Sequence, residues 1–80
     1  MKIKVTQEDI ELGLCYDGHE CPVARAYKRL FPAHVVAVDH TSSIFNGEHY
    51  VNSKEAVAFI KAFDNRELVA PGEFDFEPRE

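Results

Sequence analysis

The stretch Cys21-Pro22-Val23-Ala24-Arg25-Ala26-Tyr27-Lys28-Arg29-Leu30-Phe31 decides the fold that this chain is expected to adopt. Counted from Val23, its larger apolar side chains recur at i, i+4, i+7 and i+8, which is the spacing of one side of a helix. Pro22 suits the first helical position, because its missing N–H would have no partner there, and Pro32 ends the helix. The three basic side chains of the stretch are expected to project into water.

The segments on either side of this helix have the patterns of β-strands. Lys2-Ile3-Lys4-Val5 alternates polar and apolar side chains, as a half-buried strand does. Asn46-Gly47 is the strongest short hairpin signal and predicts an antiparallel meander. The meander is expected to contain three strands, at 34–39, 42–46 and 48–52. The most apolar of them, 34–39, is expected near the middle of the sheet. Phe74 and Phe76 alternate with acidic residues, which predicts a last strand at the edge.

A second amphipathic helix is predicted over 54–64. Its apolar residues repeat at i, i+3, i+4 and i+7 from Ala56, so the side that faces the core is well defined. Ser53 is expected to cap its start, and Asn65 is expected to end it in the left-handed conformation.

A shorter helical turn is predicted after residue 5. Thr6 and Asp9 have the spacing of a capping box, and Gly13 is expected to end the turn in the left-handed conformation. Two main helices packed on one face of a mostly antiparallel sheet, with the meander and two terminal strands, make an α+β fold. One domain over residues 1–80 is expected, because the chain is too short for two cores.

Composition restricts the classes of protein to which the chain belongs. The net charge of −5 opposes general binding to nucleic acid, for which a basic stripe is typical. No stretch approaches the roughly 20 apolar residues of a membrane span, and the N-terminus lacks the apolar run of a signal peptide, so a cytoplasmic location is expected. Two cysteines in a cytoplasmic chain do not predict a disulfide framework, and no cofactor is expected.

Three segments together resemble a set of small uncharacterised proteins encoded by bacteriophages and some bacteria. The segments are Val5-Thr6-Gln7-Glu8-Asp9-Ile10 followed by Gly13, Cys21-Pro22-Val23-Ala24-Arg25-Ala26, and Ala58-Phe59-Ile60-Lys61-Ala62-Phe63-Asp64 before a Pro71…Phe74-Asp75-Phe76 tail. Proteins of this set often carry a closer cysteine pair before the proline, whereas Cys15 and Cys21 are six residues apart here. The resemblance implies a phage or prophage origin and brings no catalytic residues with it.

Cys15, His19 and Cys21 form a C-x₃-H-x-C pattern whose side chains are typical zinc ligands. A structural zinc would stabilise a domain of this size, with a fourth ligand from one of the remaining histidines, His34, His40 or His49. The spacing is not that of the usual zinc fingers. The alternatives are that these residues pack against the start of the helix, or that the two cysteines form a disulfide.

Cys21 is also a candidate nucleophile. At the N-terminus of a helix its thiol is expected to have a lowered pKa, because the aligned peptide dipoles favour a thiolate there. Catalysis would need a base such as His19 or His40. No oxyanion hole or orienting group is recognisable in the sequence, so the chain is not expected to be an enzyme.

Acidic residues near the C-terminus are the main candidates for a partner-binding site. On a strand, Glu73, Asp75 and Glu77 would share one face at intervals of about 6.6–6.8 Å, close to two base steps of DNA. If the N-terminal segment lay beside this strand, its acidic residues would extend the row. These residues are Glu8, Asp9, Glu11, Asp17 and Glu20. The alternative is that these charges only prevent aggregation at the edge of the sheet.

Together these patterns predict a non-enzymatic interaction protein of phage type that binds and blocks a host macromolecule in the host cytoplasm. The partner would be a host protein or a protein–nucleic-acid complex, with no direct contact to nucleic acid or membrane. In its most specific form the chain is an anti-defence inhibitor, similar to anti-CRISPR proteins, whose acidic face imitates nucleic acid. The alternative is a small zinc-stabilised accessory or regulatory domain built on Cys15, His19 and Cys21.

Overall fold

The computed structural model describes residues 1–79, which form a five-stranded antiparallel sheet and three helices. In chain order the elements are β1 (Lys2–Val5), α1 (Gln7–Leu12), α2 (Pro22–Leu30), β2 (Val36–Val38), β3 (Ser42–Phe45), β4 (Glu48–Asn52), α3 (Lys54–Asp64) and β5 (Gly72–Pro78). The helices pack against one face of the sheet, and the predicted α+β fold is confirmed.

The strands lie in the order β1-β5-β4-β3-β2, so the last strand of the chain is internal. Its first half pairs with β1, where Phe74 lies opposite Ile3, and its end pairs with β4, where Phe76 lies opposite Asn52. The prediction that β5 is an edge strand is therefore wrong. The prediction that 34–39 lies near the middle of the sheet is wrong as well, because β2 is one of the two edges.

Aromatic side chains connect the helices to the sheet. The ring of Phe45 stacks on Tyr27 of α2 with centroids 4.4 Å apart, and it meets Phe76 edge-on at 5.3 Å. All three residues are buried. Phe59 and Phe63 of α3 are also buried, as the spacing from Ala56 predicts.

The C-terminal end of α2 departs from the predicted core side. Leu30 is 58% exposed and Phe31 is 39% exposed, although both continue the apolar spacing that begins at Val23. The helix ends at Leu30, and its buried residues all lie between Pro22 and Tyr27. The stripe therefore extends beyond the part of the sheet that α2 covers.

The turns show which local signals determine backbone conformation. Asn46 and Gly47 have φ of 53° and 84°, as expected for the tight hairpin. Gly13 is extended with φ −70°, so its predicted left-handed conformation is wrong. A Cβ at Gly13 would lie 2.8 Å from Pro22 Cδ, so glycine is required there for the close approach of α1 to α2. Asn65 is also not left-handed, and Arg66 takes φ 63° instead.

Asp9 anchors α1 to its neighbours. Its carboxylate accepts a hydrogen bond from the backbone N–H of Thr6 at 2.9 Å, and its own N–H donates to Thr6 Oγ1 at 3.3 Å, which together form the predicted capping box. The Thr6 hydroxyl also donates to the carboxylate at 3.0 Å. The carboxylate also accepts a hydrogen bond from Arg29 Nη1 at 2.6 Å, and Arg29 Nη2 donates to Lys4 O. Arg29 is 45% exposed, so it reaches water as predicted while its guanidinium binds Asp9, whereas Arg25 and Lys28 are only half-exposed.

Burial alone would raise the pKa of Asp9, but the hydrogen bonds from Arg29 and Thr6 outweigh it and lower the pKa below its usual value of 3.8. A carboxyl whose pKa is lower in the folded state stabilises the fold above its unfolded pKa, and this contribution is lost as the pH falls through the folded pKa.

We expect Asp9→Ala to lower the free energy of unfolding at pH 7 by about 2–3 kcal/mol, because it removes a charged hydrogen-bond acceptor and a helix cap. Urea unfolding at pH 7 and at lower pH would measure this, and the difference from wild type should shrink below about pH 3.8. Glu11→Ala, which removes an exposed charge from the same helix, should change stability by less than about 0.5 kcal/mol. Equal losses in both variants would contradict the assignment.

Candidate partner-binding face

The face of the sheet opposite the helices is called the outer face. Acidic side chains of β5 lie on it. Glu73, Asp75 and Glu77 are exposed, whereas Phe76 is fully buried and Phe74 packs against the core from the other side. The three carboxylates predicted to share one face therefore do so, at the spacing of alternate residues on a strand.

Lysines lie beside two of these carboxylates. In the register of β1 with β5, Lys4 is opposite Glu73 and Lys2 is opposite Asp75. Cross-strand partners have Cβ atoms about 4.5–5.5 Å apart, so each lysine lowers the negative potential around its partner. The N-terminal segment does lie alongside β5, as the predicted extension requires, but it brings lysines there. The row of acids is therefore not extended by that segment.

An apolar patch adjoins the other end of the row. Val51 is opposite Glu77 across β4 and β5 and is 46% exposed. Ile44, opposite His49 on β3, lies on the same face and is half-buried, and Val35 beyond it is 70% exposed. We call Val35, Ile44 and Val51 the outer patch. The alternation of His49 and Val51 with Tyr50 and Asn52 was the sequence signal that could have placed Val51 on this face.

The other predicted acidic residues lie on the helical side of the molecule. Glu8 and Glu11 are exposed on α1, and Glu20 forms an ion pair with Lys28 at 2.9 Å. The carboxylate of Asp17 accepts backbone hydrogen bonds from His19 and Glu20, so it shapes its own loop. The fifth acid, Asp9, is buried against Arg29, and the structure brings none of the five together with the carboxylates of β5.

The three residues of the C-x₃-H-x-C pattern are each engaged separately. Cys15 Sγ donates to Phe63 O at 3.2 Å, and His19 Nδ1 lies 2.7 Å from Val36 O. Because a carbonyl only accepts, Nδ1 carries the hydrogen. Cys21 is buried at the start of α2. Within residues 1–79, no three His, Cys, Asp or Glu side chains are grouped in a way that could hold a metal ion.

His19 and its neighbour cover the edge of the sheet at β2. The His19 ring bonds Val36 O, and Gly18 O accepts the N–H of Val38 at 2.9 Å. A Cβ at Gly18 would lie 2.7 Å from Val38 O, so this close approach needs glycine. The loop thus protects β2 from pairing with another chain.

Burial raises the pKa of the Cys21 thiol to about 11, and the nearby backbone amides of Ala24 and Val23 offset this only in part. Negative charge on Asp64 and Asp17 raises it further. The predicted lowering of this pKa is therefore wrong, because desolvation exceeds the effect of the helix N-terminus. The thiol is neutral at physiological pH.

A cluster that the sequence did not reveal surrounds Asp64, which is 7% exposed at the end of α3. Its carboxylate accepts the backbone N–H of Tyr16 at 2.8 Å and faces His40 Nε2 at 2.8 Å. These contacts hold the loop before α2 against α3, beside a cleft of about 230 Å³ that Cys21 also lines. The partners are 24 and 48 residues from Asp64, so no local pattern could have found them.

Comparison of the chain with protein-family models, with curated proteins and with solved structures gives no match. No helix within residues 1–79 is long and apolar enough to cross a membrane.

Metal analysis tests the zinc alternative directly. We expect the purified chain to contain well below one zinc per molecule and to keep the same thermal midpoint in EDTA, because Cys15 and His19 are committed to backbone carbonyls. Elemental analysis and a thermal melt would measure both quantities. About one zinc per chain that disappears in Cys15→Ser would contradict this assignment.

Alkylation tests the state of Cys21. In a Cys15→Ser variant, we expect the folded protein to react with iodoacetamide very slowly at pH 7–8, with a rate that rises only toward a pKa of about 11. In denaturant the same thiol should titrate near its ordinary value of about 8.5. A folded-state rate that levels off below pH 8.5 would show an activated thiolate instead.

Proposed function

We propose that the chain is a non-catalytic interaction protein that binds a protein partner through the outer face of its sheet and blocks that partner. One observation carries the proposal. The outer face presents the outer patch directly beside the carboxylates of β5, and no element of residues 1–79 covers it.

The outer patch would supply the centre of the interface. Val35 and Val51 are exposed by 70% and 46%, and burying apolar surface is the main favourable contribution to protein association. Protein interfaces generally combine an apolar centre with a polar rim, and Glu77 lies at the border of the patch.

The carboxylates would supply the rim and favour a basic partner. Glu77 lies opposite Val51 instead of opposite a lysine, and Arg79 follows two residues later on the same side of the chain. The carboxylates steer a positively charged surface toward the patch and set the salt dependence of association. A basic channel that normally holds nucleic acid fits this description. The mixed character of the face favours a protein surface over strict imitation of a phosphate backbone.

The chemistry of the cysteines supports a non-catalytic role. Cys21 is buried with a raised pKa, and Cys15 donates its hydrogen bond to a backbone carbonyl. Among the hydrogen bonds of residues 1–79, neither sulfur has a histidine partner. The further step, that the blocked partner belongs to a bacterial defence system, follows only from the resemblance to phage-encoded proteins.

Substitution on the outer face tests this proposal. We expect proteins captured from a bacterial lysate by the immobilised chain at about 0.1 M salt to be lost at about 1 M salt, where exposed charges are screened. The same proteins should be lost when Glu73→Gln, Asp75→Asn and Glu77→Gln are combined, and when Val51→Lys is introduced alone. Quantitative mass spectrometry of the bound fraction measures each loss.

Glu8→Gln combined with Glu11→Gln is the matched control, because it removes exposed acids from the helical side. This variant should retain the captured proteins. Recovery that is insensitive to every outer-face variant, with thermal melts confirming that each one folds, would rule out this surface as the binding site. If the outer face is the binding site, adding the chain to the purified partner should also inhibit the partner's own activity.

A further inference from the structure

A cleft of about 240 Å³ opens between the C-terminal end of α2 and the β3–β4 hairpin, on the helical side of the sheet. Five aromatic or imidazole rings and one carboxylate dominate its lining, and they belong to Tyr27, Phe31, His34, Phe45, Tyr50 and Glu48. The cleft is separate from the outer face, so the inference drawn from it does not rest on the proposed function.

Two buried rings form the floor of the cleft. Tyr27 and Phe45 stack with their planes 19° apart, and each is at most 3% exposed. Phe31 stacks on His34 at 5.0 Å, and Tyr50 is tilted against Phe45 at 5.3 Å. Phe31, His34 and Tyr50 are partly exposed, so they form the rim of the cleft. A ligand in the cleft would therefore contact mainly the rings of the rim, above a floor of two rings that are almost fully buried.

The carboxylate of Glu48 lies near the hydroxyls of both Tyr27 and Tyr50 and acts on them electrostatically. Tyr50 donates its hydroxyl to Glu48 Oε2 at 3.3 Å. Burial raises the pKa of Tyr50 and of Tyr27, and the Glu48 charge raises both further. No lysine or arginine of residues 1–79 lines the cleft, and the α-ammonium of Met1 at its border donates to Phe76 O. Among the groups that line the cleft, His34 shares a hydrogen bond of 2.7 Å with the Tyr27 hydroxyl, and the Met1 ammonium is bonded to a backbone carbonyl, so the carboxylate of Glu48 is the acidic group beside the rings.

We propose that this cleft binds an organic ammonium ion with an alkylated headgroup. Aromatic faces attract cations through their quadrupole, and such rings around a quaternary ammonium are a known mode of recognition. The cleft has the volume of about eight water molecules, which accommodates a headgroup bearing several methyl groups. A phosphate-bearing ligand such as a nucleotide is disfavoured by Glu48 and by the net charge of −5.

The headgroup can come from a free small molecule or from a methylated lysine of another protein. Both present the same cation to the rings. Choline and a peptide that contains trimethyllysine therefore serve as the two probes, and their relative affinities identify the source. Tighter binding of the peptide assigns the site to a protein side chain, and equal or tighter binding of choline assigns it to a free cation.

Titration followed by ¹H–¹⁵N NMR tests the proposal on the full chain. We expect shifts confined to residues around the cleft, with a dissociation constant of about 10 mM or tighter for at least one probe. The neutral isostere 3,3-dimethylbutan-1-ol has the shape of choline without its charge. It should bind about 2- to 30-fold more weakly than choline, the range expected for a cation–aromatic contact.

Two variants separate the charge from the rings. Glu48→Gln and Phe31→Leu should each weaken binding of the cation by a similar factor, and both residues are exposed enough to be replaced without disturbing the core. Glu55→Gln, which neutralises an exposed acid on α3, should leave the affinity unchanged. Absence of shifts with both probes, equal affinity for the neutral isostere, or full binding by Glu48→Gln would each overturn the proposal.

Discussion

The insertion of β5 between β1 and β4 is the constraint on which the rest of the structure depends. Within residues 1–79, β5 is the strand that pairs with β1, so it connects the N-terminal strand to the meander. Phe76 is fully buried at the point where β5 changes partner, and its ring meets Phe45 from the meander. Without this strand, the surface on which α2 packs would be split in two, because α2 contacts both β1 and β2.

The same insertion determines the character of the outer face. At an edge, the carboxylates of β5 would have a neighbour on one side only and would form an open acidic border. In the interior, Lys2 and Lys4 flank them on one side and Val51 flanks Glu77 on the other. An acidic row thus becomes a graded surface that runs from mixed charge through negative charge to apolar side chains. Such a gradient orients a partner as well as attracting it, because only one orientation places apolar surface against the outer patch.

Local signals predict several turns, caps and helix ranges correctly, although the left-handed ends expected at Gly13 and Asn65 are wrong. The Asn46-Gly47 turn, the capping box at Thr6 and Asp9, and the range of α3 all depend on residues within a few positions of one another. The position of β5 could not be read in this way, because alternation identifies a strand but not its neighbours. For the same reason the stripe on α2 predicted burial of Leu30, although burial depends on where the sheet ends. Asp64 and its partners escaped detection because they meet only in the folded chain.

The net charge of −5 also has a different meaning once the contacts are known. Several acids are occupied within the fold, since Asp9 binds Arg29, Glu20 binds Lys28 and Asp64 binds His40. Their charges stabilise loops and helix ends, so they contribute little to a recognition surface. The exposed carboxylates that lie next to an apolar or aromatic surface are those of β5, beside the outer patch, and, on the helical side, Glu48 beside the aromatic rings. Because these two places lie on opposite faces of the sheet, a protein partner on the outer face and an ammonium ion in the cleft can bind at the same time. Any influence of one on the other would have to pass through the hairpin, which carries Val51 outward and Tyr50 inward on the same strand.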